Sequence, residues 1–420
     1  MQPLDLTAFR AWCARRELGF TAQQAAAVRD IVAAVRADGD AALCRFGQQF
    51  DRCDLAGRPL RLPATAWRNA AVAPELRDAL RLAADHIRAY HEKQRETSWH
   101  TTAGPLGLGQ RVTPLDRVGI YVPGGSAPLV STLLMAAIPA QVAGVREIAV
   151  ATPPRPDGGL HPAIAAAAEL LGLDEIYQLG GAQAVAALAY GTATVRPVDK
   201  IVGPGNAYVA IAKQLVFGQC GIDMVAGPSE VMVIADGTVA PAWVAADLLA
   251  QAEHDPQARV ACVAWEPTVL DAIAGEVERQ LAELPRRDIA APAIAASVNV
   301  LVADAAEACA AANAMAPEHL ELAVQDPAPL LAGIRHAGAI FVGGRACEAL
   351  GDYVAGPNHT LPTGGTARFF SPLGWYDFVK RSSVISAADS PELRALARAA
   401  AVIARAEGLT AHARALDYRA

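Results

Sequence analysis

Four short stretches of the chain carry side chains that can bind a metal ion or move protons. They are Gln251-Ala-Glu-His254, Pro317-Glu318-His319, Gly351 to His359, and Glu407 to His412. A Gln, two His and an Asp can supply the nitrogen and oxygen ligands that a divalent ion of the zinc class accepts. Glu318 and His319 would then remain free for proton transfer. The pattern indicates a metal-assisted enzyme.

The expected metal ligands come from two kinds of local structure. Gln251 and His254 stand at i and i+3, a spacing that places both on one face of a helix expected over 247–253. Asp352 adds a carboxylate oxygen from a loop broken by glycine and proline. The residues alone leave the fourth ligand open, because either His359 or His412 could occupy it.

Two proton carriers stand side by side after a helix-like run that spans Ala305 to Met315. Glu318 and His319 come directly after Pro317, so their side chains can reach one cleft. A dipeptide of this kind is more often a solvated helix end when it stands alone. Because the metal-binding stretches are also present, the Glu318-His319 dipeptide favours a reaction in two proton-coupled steps.

Composition narrows the class of protein. A chain of 420 residues has room for two to four domains. The formal net charge of -7, without a dense Lys/Arg block, gives no electrostatic basis for binding nucleic acid. We expect no signal peptide, because the N-terminus has no basic start followed by an apolar run. We expect no membrane span, since the uncharged stretch 126–145 contains Pro128 and Pro139. Seven scattered cysteines fit a reducing compartment, so we expect a cytoplasmic protein.

The periodicity predicts how these stretches are positioned. Residues 20–50 and 64–99 have the pattern of amphipathic helices, and from about Asp116 short β-branched runs alternate with Ala-rich segments. This alternation predicts two parallel sheets with helices on both faces. Beyond Phe378 no further strand is expected, only a helix and a polar tail that carries His412. The tail is too small to fold alone and should pack on its own body or a partner's.

Three glycine-rich turns suggest a nucleotide site, although a Gly-x-Gly-x-x-Gly fingerprint is absent. Each turn ends a strand-like run and opens a helix-like one, which is where α/β sheets bind ligands. The turns are Tyr121 to Ser126, Leu179 to Gln183, and Val202 to Asn206. A single turn of this kind is more often a tight connection. Three such turns together favour a nucleotide-binding site, since Tyr121, Gln183 and Asn206 provide polar side chains that could contact the ligand.

Taken together, these motifs resemble those of histidinol dehydrogenases from about Arg117 to His412, while the first hundred residues match mainly in helical character. The motifs that carry the resemblance are Arg117-Val-Gly-Ile-Tyr-Val-Pro-Gly-Gly-Ser-Ala-Pro, Gly180-Gly-Ala-Gln-Ala, Gly203-Pro-Gly-Asn, Ala226-Gly-Pro-Ser-Glu, Gln251-Ala-Glu-His, Ala316-Pro-Glu-His, Gly351-Asp-Tyr, Asn358-His and Glu407-Gly-Leu-Thr-Ala-His. The order of these motifs along the chain and their residue sequences are specific to that family.

The resemblance implies an α/β fold of two incomplete Rossmann-like domains with parallel-type sheets, as in aldehyde dehydrogenases, plus small helical terminal segments. The expected organisation is an N-terminal segment 1–16, a discontinuous catalytic and metal-binding domain 17–120 and 229–373, an NAD-binding domain 121–228, and a C-terminal dimerisation tail 374–420.

The resemblance also implies a zinc-dependent, four-electron oxidation of L-histidinol to L-histidine, the last step of histidine biosynthesis, through bound L-histidinal and with two NAD in turn. The enzyme would be a homodimer in which Glu407 and His412 reach the neighbouring subunit's site. By resemblance, the zinc ligands are Gln251, His254, Asp352 and His412, and the catalytic residues are Glu318 and His319. The residues that contact NAD are Tyr121, Gln183 and Asn206. The substrate is contacted by Ser229, His359 and Glu407, together with the zinc ligands and the catalytic pair.

Two other functions are weighed against this one. A sibling NAD- and zinc-dependent dehydrogenase of another small polar alcohol would share the zinc and NAD residues. A silent metal-binding protein would be expected to lack Glu318 or His319, and both are present. The motifs contain no cysteine, so water rather than a thiolate is expected to attack the aldehyde. Trp375 stands where the family leads us to expect a smaller aliphatic residue.

Overall fold

The structure is a computed structural model that describes residues 1–15, 20–124 and 128–420. Its described strands form two parallel sheets and one antiparallel sheet. They are β1 (Gln2–Leu4), β2 (Trp99–Ala103), β3 (Leu106–Pro114), β4 (Arg117–Tyr121), β5 (Glu147–Thr152), β6 (Glu175–Gln178), β7 (Lys200–Val202), β8 (Gly221–Ile222), β9 (Glu230–Ala235), β10 (Arg259–Ala264), β11 (Val298–Leu301), β12 (His319–Ala323), β13 (Ala339–Val342) and β14 (Val379–Ala387).

Helices alternate with most of the strands, as the sequence predicts. They are α1 (Leu6–Ala14), α2 (Ala22–Asp38), α3 (Asp40–Phe50), α4 (Pro74–Glu92), α5 (Val130–Ala143), α6 (Pro162–Leu170), α7 (Gly181–Tyr190), α8 (Ala207–Val216), α9 (Pro241–Ala252), α10 (Pro267–Glu283), α11 (Arg287–Ala295), α12 (Ala305–Met315), α13 (Ala328–Gly333), α14 (Glu348–Tyr353), α15 (Pro391–Ala406) and α16 (Thr410–Asp417). The helix expected at Ala305 to Met315 is confirmed; it begins where the Asp304 side chain accepts the Glu307 N–H at 2.9 Å.

The five-stranded sheet has the order β6-β5-β4-β7-β8, with every pair parallel. Helices α4, α5 and α6 pack on one face, and α2, α3, α7 and α8 pack on the other. The chain places β5 and β6 on one side of β4 and then crosses to β7 on the other side. Such a reversal opens a crevice at the carboxyl edge of a parallel sheet.

The six-stranded sheet has the order β1-β11-β10-β9-β12-β13 and is also entirely parallel. Helices α1 and α12 pack on one face, and α9, α10 and α11 pack on the other. Here the chain reverses between β9 and β12. The amino ends of these two strands, at Glu230 and His319, lie side by side because His319 pairs with Val231.

The N-terminal third packs differently from the grouping expected from the sequence. Helices α2, α3 and α4, within 22–92, cover the five-stranded sheet rather than 229–373. An amphipathic helix shows which of its faces is buried but not which sheet buries it. Residues 1–15 pack on the six-stranded sheet, and the expected boundary at residues 16 and 17 lies outside the described residues.

The expectation of no strand beyond Phe378 is wrong. Strand β14 pairs antiparallel with β3, which also pairs with β2. Eight of its nine residues are exposed, so the strand lacks the alternation of apolar and polar positions that marks a half-buried strand. Similarly, 64–99 is helical mainly over Pro74–Glu92, and β2 begins at Trp99.

The uncharged run 126–145 contains a buried helix, as expected. This helix, α5, spans Val130–Ala143 and includes Pro139. Across the described part of the chain, no helix combines the length and the apolar character needed to cross a membrane.

Candidate functional site

The expected catalytic pair lies at the amino end of β12. Glu318 Oε2 accepts a hydrogen bond from the Glu230 N–H at 2.9 Å, which ties the pair to the start of β9. His319 Nδ1 lies 3.3 Å from the Glu230 carbonyl oxygen. Because a carbonyl oxygen only accepts, Nδ1 carries the hydrogen of this contact, and in the neutral ring Nε2 holds the free lone pair. That nitrogen is buried without a hydrogen-bond partner among the described residues.

The surroundings shift both titratable groups of the pair strongly. Burial raises the pKa of Glu318 to about 7, against the opposing charge of His319 and the hydrogen bond from Glu230. Burial alone would lower the pKa of His319, but the carboxylates of Glu348, Glu318 and Asp352 raise it to about 10. A carboxyl that titrates near neutral pH is suited to accept and return a proton.

Oxygen and nitrogen donors converge beside this pair. One ligand atom each from His254, Glu348 and Asp352 lies within 4.8 Å of the others. Gln251, in the last turn of α9, points its amide into the same group. With the amide nitrogen oriented to donate to Glu348, the amide oxygen lies 2.8 Å from the Glu230 nitrogen and shares its N–H with Glu318. This mixture of imidazole, carboxylate and amide donors fits a zinc-class ion.

Ser229 and His359 border the same region. Ser229 directly precedes β9, and its carbonyl oxygen accepts the Arg259 N–H at 2.9 Å. His359 Nδ1 lies 3.0 Å from the Asp352 carbonyl oxygen, and its Nε2 lies 3.3 Å from the Thr132 hydroxyl. His359 therefore contacts Asp352 of the donor group, whereas Ser229 adjoins Glu230, whose N–H binds Glu318.

The last two expected residues do not join the group within one chain. Glu407 ends α15 and His412 lies in α16, and both are exposed. These two helices pack chiefly on each other. The donor group in one described chain therefore contains three of the four expected zinc ligands, which are Gln251, His254 and Asp352.

Two buried carboxylic acids near the site were not identified from the sequence. Glu348 precedes Asp352 by four residues on α14, and Glu321 follows His319 by two residues on β12. Glu321 accepts the Glu348 N–H at 2.7 Å, which fixes the start of α14, and it shares a hydrogen bond with Asp247 of α9. The i, i+4 helix spacing and the period of two in a strand were the available signals.

The three expected nucleotide-contacting residues line one cleft of about 830 Å³. Tyr121 ends β4 and accepts the Gly181 N–H at 3.0 Å. Asn206 opens α8 by accepting the N–H groups of Tyr208 and Val209, and the buried Gln183 lies in α7. The three glycine turns connect strands to helices as expected, although residues 125–127 of the first turn lie outside the described residues.

The same cleft reaches the metal-donor group. Its lining includes His254, Glu253, Arg286 and Tyr353 from the six-stranded body. The carboxyl edge of one sheet thus faces the amino edge of the other. A ligand held by the three residues expected to contact a nucleotide would extend toward the donor group.

Neither a thiol nor the unusual tryptophan lines this cleft among its described residues. Cys262 is fully buried in β10, and burial raises the pKa of its thiol to about 12. Trp375 is buried beside Gln94, whose side chain accepts the Trp375 backbone N–H at 3.0 Å. The described geometry therefore gives no support for a cysteine nucleophile in the cleft.

Two parallel sheets that share a cleft give the chain an α/β fold of the aldehyde-dehydrogenase-like class. Aldehyde dehydrogenase 21 from Physcomitrella patens superposes with a TM-score of 0.51 over 90% of this chain and 88% of its own, at 11% identity, which shows the fold alone. The family model described as histidinol dehydrogenase matches residues 14–420, and the chain belongs to this family.

Individual relatives agree with this assignment. Histidinol dehydrogenase from Pseudomonas aeruginosa is 53% identical over 397 residues, which cover 93% of this chain and 90% of the relative. The crystal structure of histidinol dehydrogenase from Elizabethkingia anophelis superposes with a TM-score of 0.94 at 36% identity, over 100% of this chain and 97% of its own.

Proposed function

We propose that the chain oxidises L-histidinol to L-histidine in two steps, through bound L-histidinal, with reduction of two NAD. This would be the last step of histidine biosynthesis. The observation that carries the proposal is one cleft that joins the nucleotide-contacting residues to a metal-donor group beside Glu318 and His319. Family membership supports the choice of substrate.

Zinc would be held by Gln251, His254 and Asp352, with His412 of the neighbouring subunit as the fourth ligand. The convergence of amide, imidazole and carboxylate donors supports this assignment. When bound, zinc would orient the imidazole and amino nitrogens of the substrate and so hold its alcohol carbon in place. Ser229, His359 and Glu407 would complete the substrate contacts.

NAD would lie along the carboxyl edge of the five-stranded sheet, against Tyr121, Gln183 and Asn206. When bound, NAD accepts one hydride in each half-reaction. The cleft that these residues line extends to His254, so its length suits a dinucleotide whose reactive end approaches the substrate.

His319 would act as the base of the first step once a cation bound at Asp352 offsets the carboxylate charge that raises its pKa. Its Nε2 faces Asp352 while Nδ1 is held by the Glu230 carbonyl oxygen, so Nε2 is the nitrogen available to the substrate hydroxyl. The alcohol carbon loses a hydride as the hydroxyl proton passes to Nε2, which leaves the aldehyde.

Glu318 would act in the second step by taking a proton from the water that attacks the aldehyde. His319 then deprotonates the resulting diol as the second hydride leaves, and the product is a carboxylate. The pKa of Glu318, raised by burial to about 7, supports this role. Each turnover consumes one water and releases two reduced cofactors and three protons.

The proposal assigns a role to each part of the chain. Residues 121–228 would bind NAD, 229–373 would hold the metal and the catalytic pair, and 374–420 would form a dimerisation tail that delivers Glu407 and His412 to the neighbouring site. The exposure of both residues and the isolated packing of α15 on α16 support this exchange. We place the enzyme in the cytoplasm.

Product identification tests this function. Purified protein incubated with L-histidinol, NAD and zinc should form L-histidine, identified by mass spectrometry. Other small polar alcohols should be oxidised at least about 100-fold more slowly, because they cannot satisfy both the metal-donor group and the substrate contacts. If another alcohol is turned over faster than histidinol, the chain is a sibling dehydrogenase instead.

A further inference from the structure

One cationic side chain in the cleft has no role in the function described so far. Arg286 is the only Lys or Arg among the described residues that line the cleft. It directly precedes α11 and is partly exposed. Its guanidinium donates to no oxygen of the described chain, although arginine presents five donors. Its positive charge contributes to lowering the pKa of His254, an effect smaller than that of burial.

The cleft otherwise offers little positive charge to an anionic ligand. Its lining contains the carboxyl groups of Asp51 and Glu253, and its remaining described residues apart from His254 and Arg286 are neutral. A dinucleotide carries two negative charges on its pyrophosphate. Without a cationic partner in the cleft, the phosphate charge would be left unmatched and would weaken binding.

The helix ends that usually receive a pyrophosphate are partly engaged here. In Rossmann folds the first-turn N–H groups of a helix point at the phosphates. At α7 the Gly181 N–H instead donates to the Tyr121 hydroxyl at 3.0 Å. At α8 the side chain of Asn206 accepts the Tyr208 and Val209 N–H groups at 3.1 and 3.2 Å. The chain's own oxygens thus occupy donors that a phosphate would otherwise use.

We propose that Arg286 binds the pyrophosphate of the dinucleotide. The guanidinium fork can form two parallel hydrogen bonds to phosphate oxygens, which a single ammonium group cannot match. Arg286 belongs to the six-stranded body, whereas Tyr121, Gln183 and Asn206 belong to the five-stranded body. The cofactor would therefore be held from both walls of the cleft. This inference rests on the proposed use of NAD.

The neighbouring arginine provides a matched control. Arg287 is the next residue, is exposed, and lies outside the lining of the cleft. The variants Arg286→Gln and Arg287→Gln change the net charge equally, but only the first removes the guanidinium from the cleft. Arg286→Lys keeps the charge and loses the bidentate geometry, so its binding should fall between those of the wild-type protein and Arg286→Gln.

Calorimetric titration of the zinc-loaded proteins with ADP-ribose and with adenosine tests the proposal. Arg286→Gln should weaken ADP-ribose binding about 10-fold or more while adenosine binding changes less than about twofold, since only ADP-ribose carries a pyrophosphate. Arg287→Gln should match the wild-type protein for both probes. The KM for NAD should rise in Arg286→Gln by a similar factor, with zinc content unchanged.

Other results would overturn the assignment in distinguishable ways. Unchanged ADP-ribose binding in Arg286→Gln, or equal loss for adenosine, removes Arg286 from the pyrophosphate site. Weakened binding of L-histidine with intact ADP-ribose binding would assign Arg286 to the product carboxylate. If the wild-type protein itself fails to bind ADP-ribose, the proposed dinucleotide site fails together with this inference.

Discussion

Nε2 of His319 lies 3.6 Å from Oδ1 of Asp352, so the expected base and an expected zinc ligand lie almost within hydrogen-bonding distance. The Asp352 carboxylate is one of the three groups that keep the pKa of His319 high. We expect a cation on Asp352 to neutralise part of this charge and lower the pKa of His319. The proposed metal-binding and proton-transfer roles of the site would therefore be coupled.

Removal of zinc should abolish activity, and the substitution His254→Asn should impair zinc retention strongly. Losing one ligand opens the coordination to water and exposes the remaining ligands to exchange. Elemental analysis after dialysis against a chelator, followed by an assay with and without added zinc, measures both effects. Full activity in a sample verified to be metal-free would contradict the assignment of the donor group.

The substitution Glu318→Gln should affect the two half-reactions unequally. It keeps the shape of the side chain but removes the base that activates water, so aldehyde oxidation should fall by about 100-fold or more. Single-turnover oxidation of the alcohol should be affected less, because His319 accepts that proton. Rapid-quench measurement of each half-reaction provides the comparison, and equal losses would assign Glu318 a binding or structural role.

Exchange of subunits should reveal whether His412 acts across a dimer. Glu318→Gln and His412→Asn are each expected to be inactive alone. In a mixed dimer, the site built on the His412→Asn subunit keeps its own Glu318 and receives an intact His412 from its neighbour. Random pairing should restore roughly a quarter of wild-type activity. If mass spectrometry confirms exchange and no activity returns, His412 serves its own subunit.

A buried ion pair should make stability depend on pH. The carboxyl of Glu175 accepts two hydrogen bonds from Arg117, and these bonds, opposing the effect of burial, lower the pKa of Glu175 to about 2. The stabilisation is present above the usual pKa and is lost as the pH falls toward the folded-state value. Glu175→Gln should therefore cost about 3 kcal/mol at pH 7.

Urea unfolding at several pH values measures this effect. The difference between the wild-type protein and Glu175→Gln should narrow as the pH falls below about 4.5, the usual value of the carboxyl. The control is Glu147→Gln, because Glu147 pairs with the same Arg117 but its side chain is 44% exposed, so its loss should cost much less stability than the loss of Glu175. A pH-independent difference for Glu175→Gln would exclude the ion pair as its cause.

Local sequence patterns predicted the helices and strands whose burial pattern is visible within a single segment. The βα alternation predicted two parallel sheets because strands buried on both faces are almost continuously apolar, as β9 is over 231–235. Strand β14 could not be predicted, since its pairing with β3 is formed between segments 265 or more residues apart and both of its faces are exposed. The packing of α2 to α4 likewise depends on tertiary contacts.

The candidate site was predictable where unusual residues clustered in sequence. Gln251, His254, Glu318, His319 and Asp352 come together as expected. Common acidic or basic residues gave no such signal: the roles of Glu348 and Arg286 depend on which elements face the cleft. The predicted contribution of His412 depends on a second subunit, and a local sequence pattern does not define where that subunit packs.

The stoichiometry of the reaction tests the central proposal most directly. Limiting L-histidinol is converted completely with excess NAD, and the NADH formed is counted by its absorbance. Two NADH per histidinol are expected, because water activated by Glu318 allows the bound aldehyde to release a second hydride. One NADH per histidinol, with free aldehyde accumulating, would contradict the four-electron reaction.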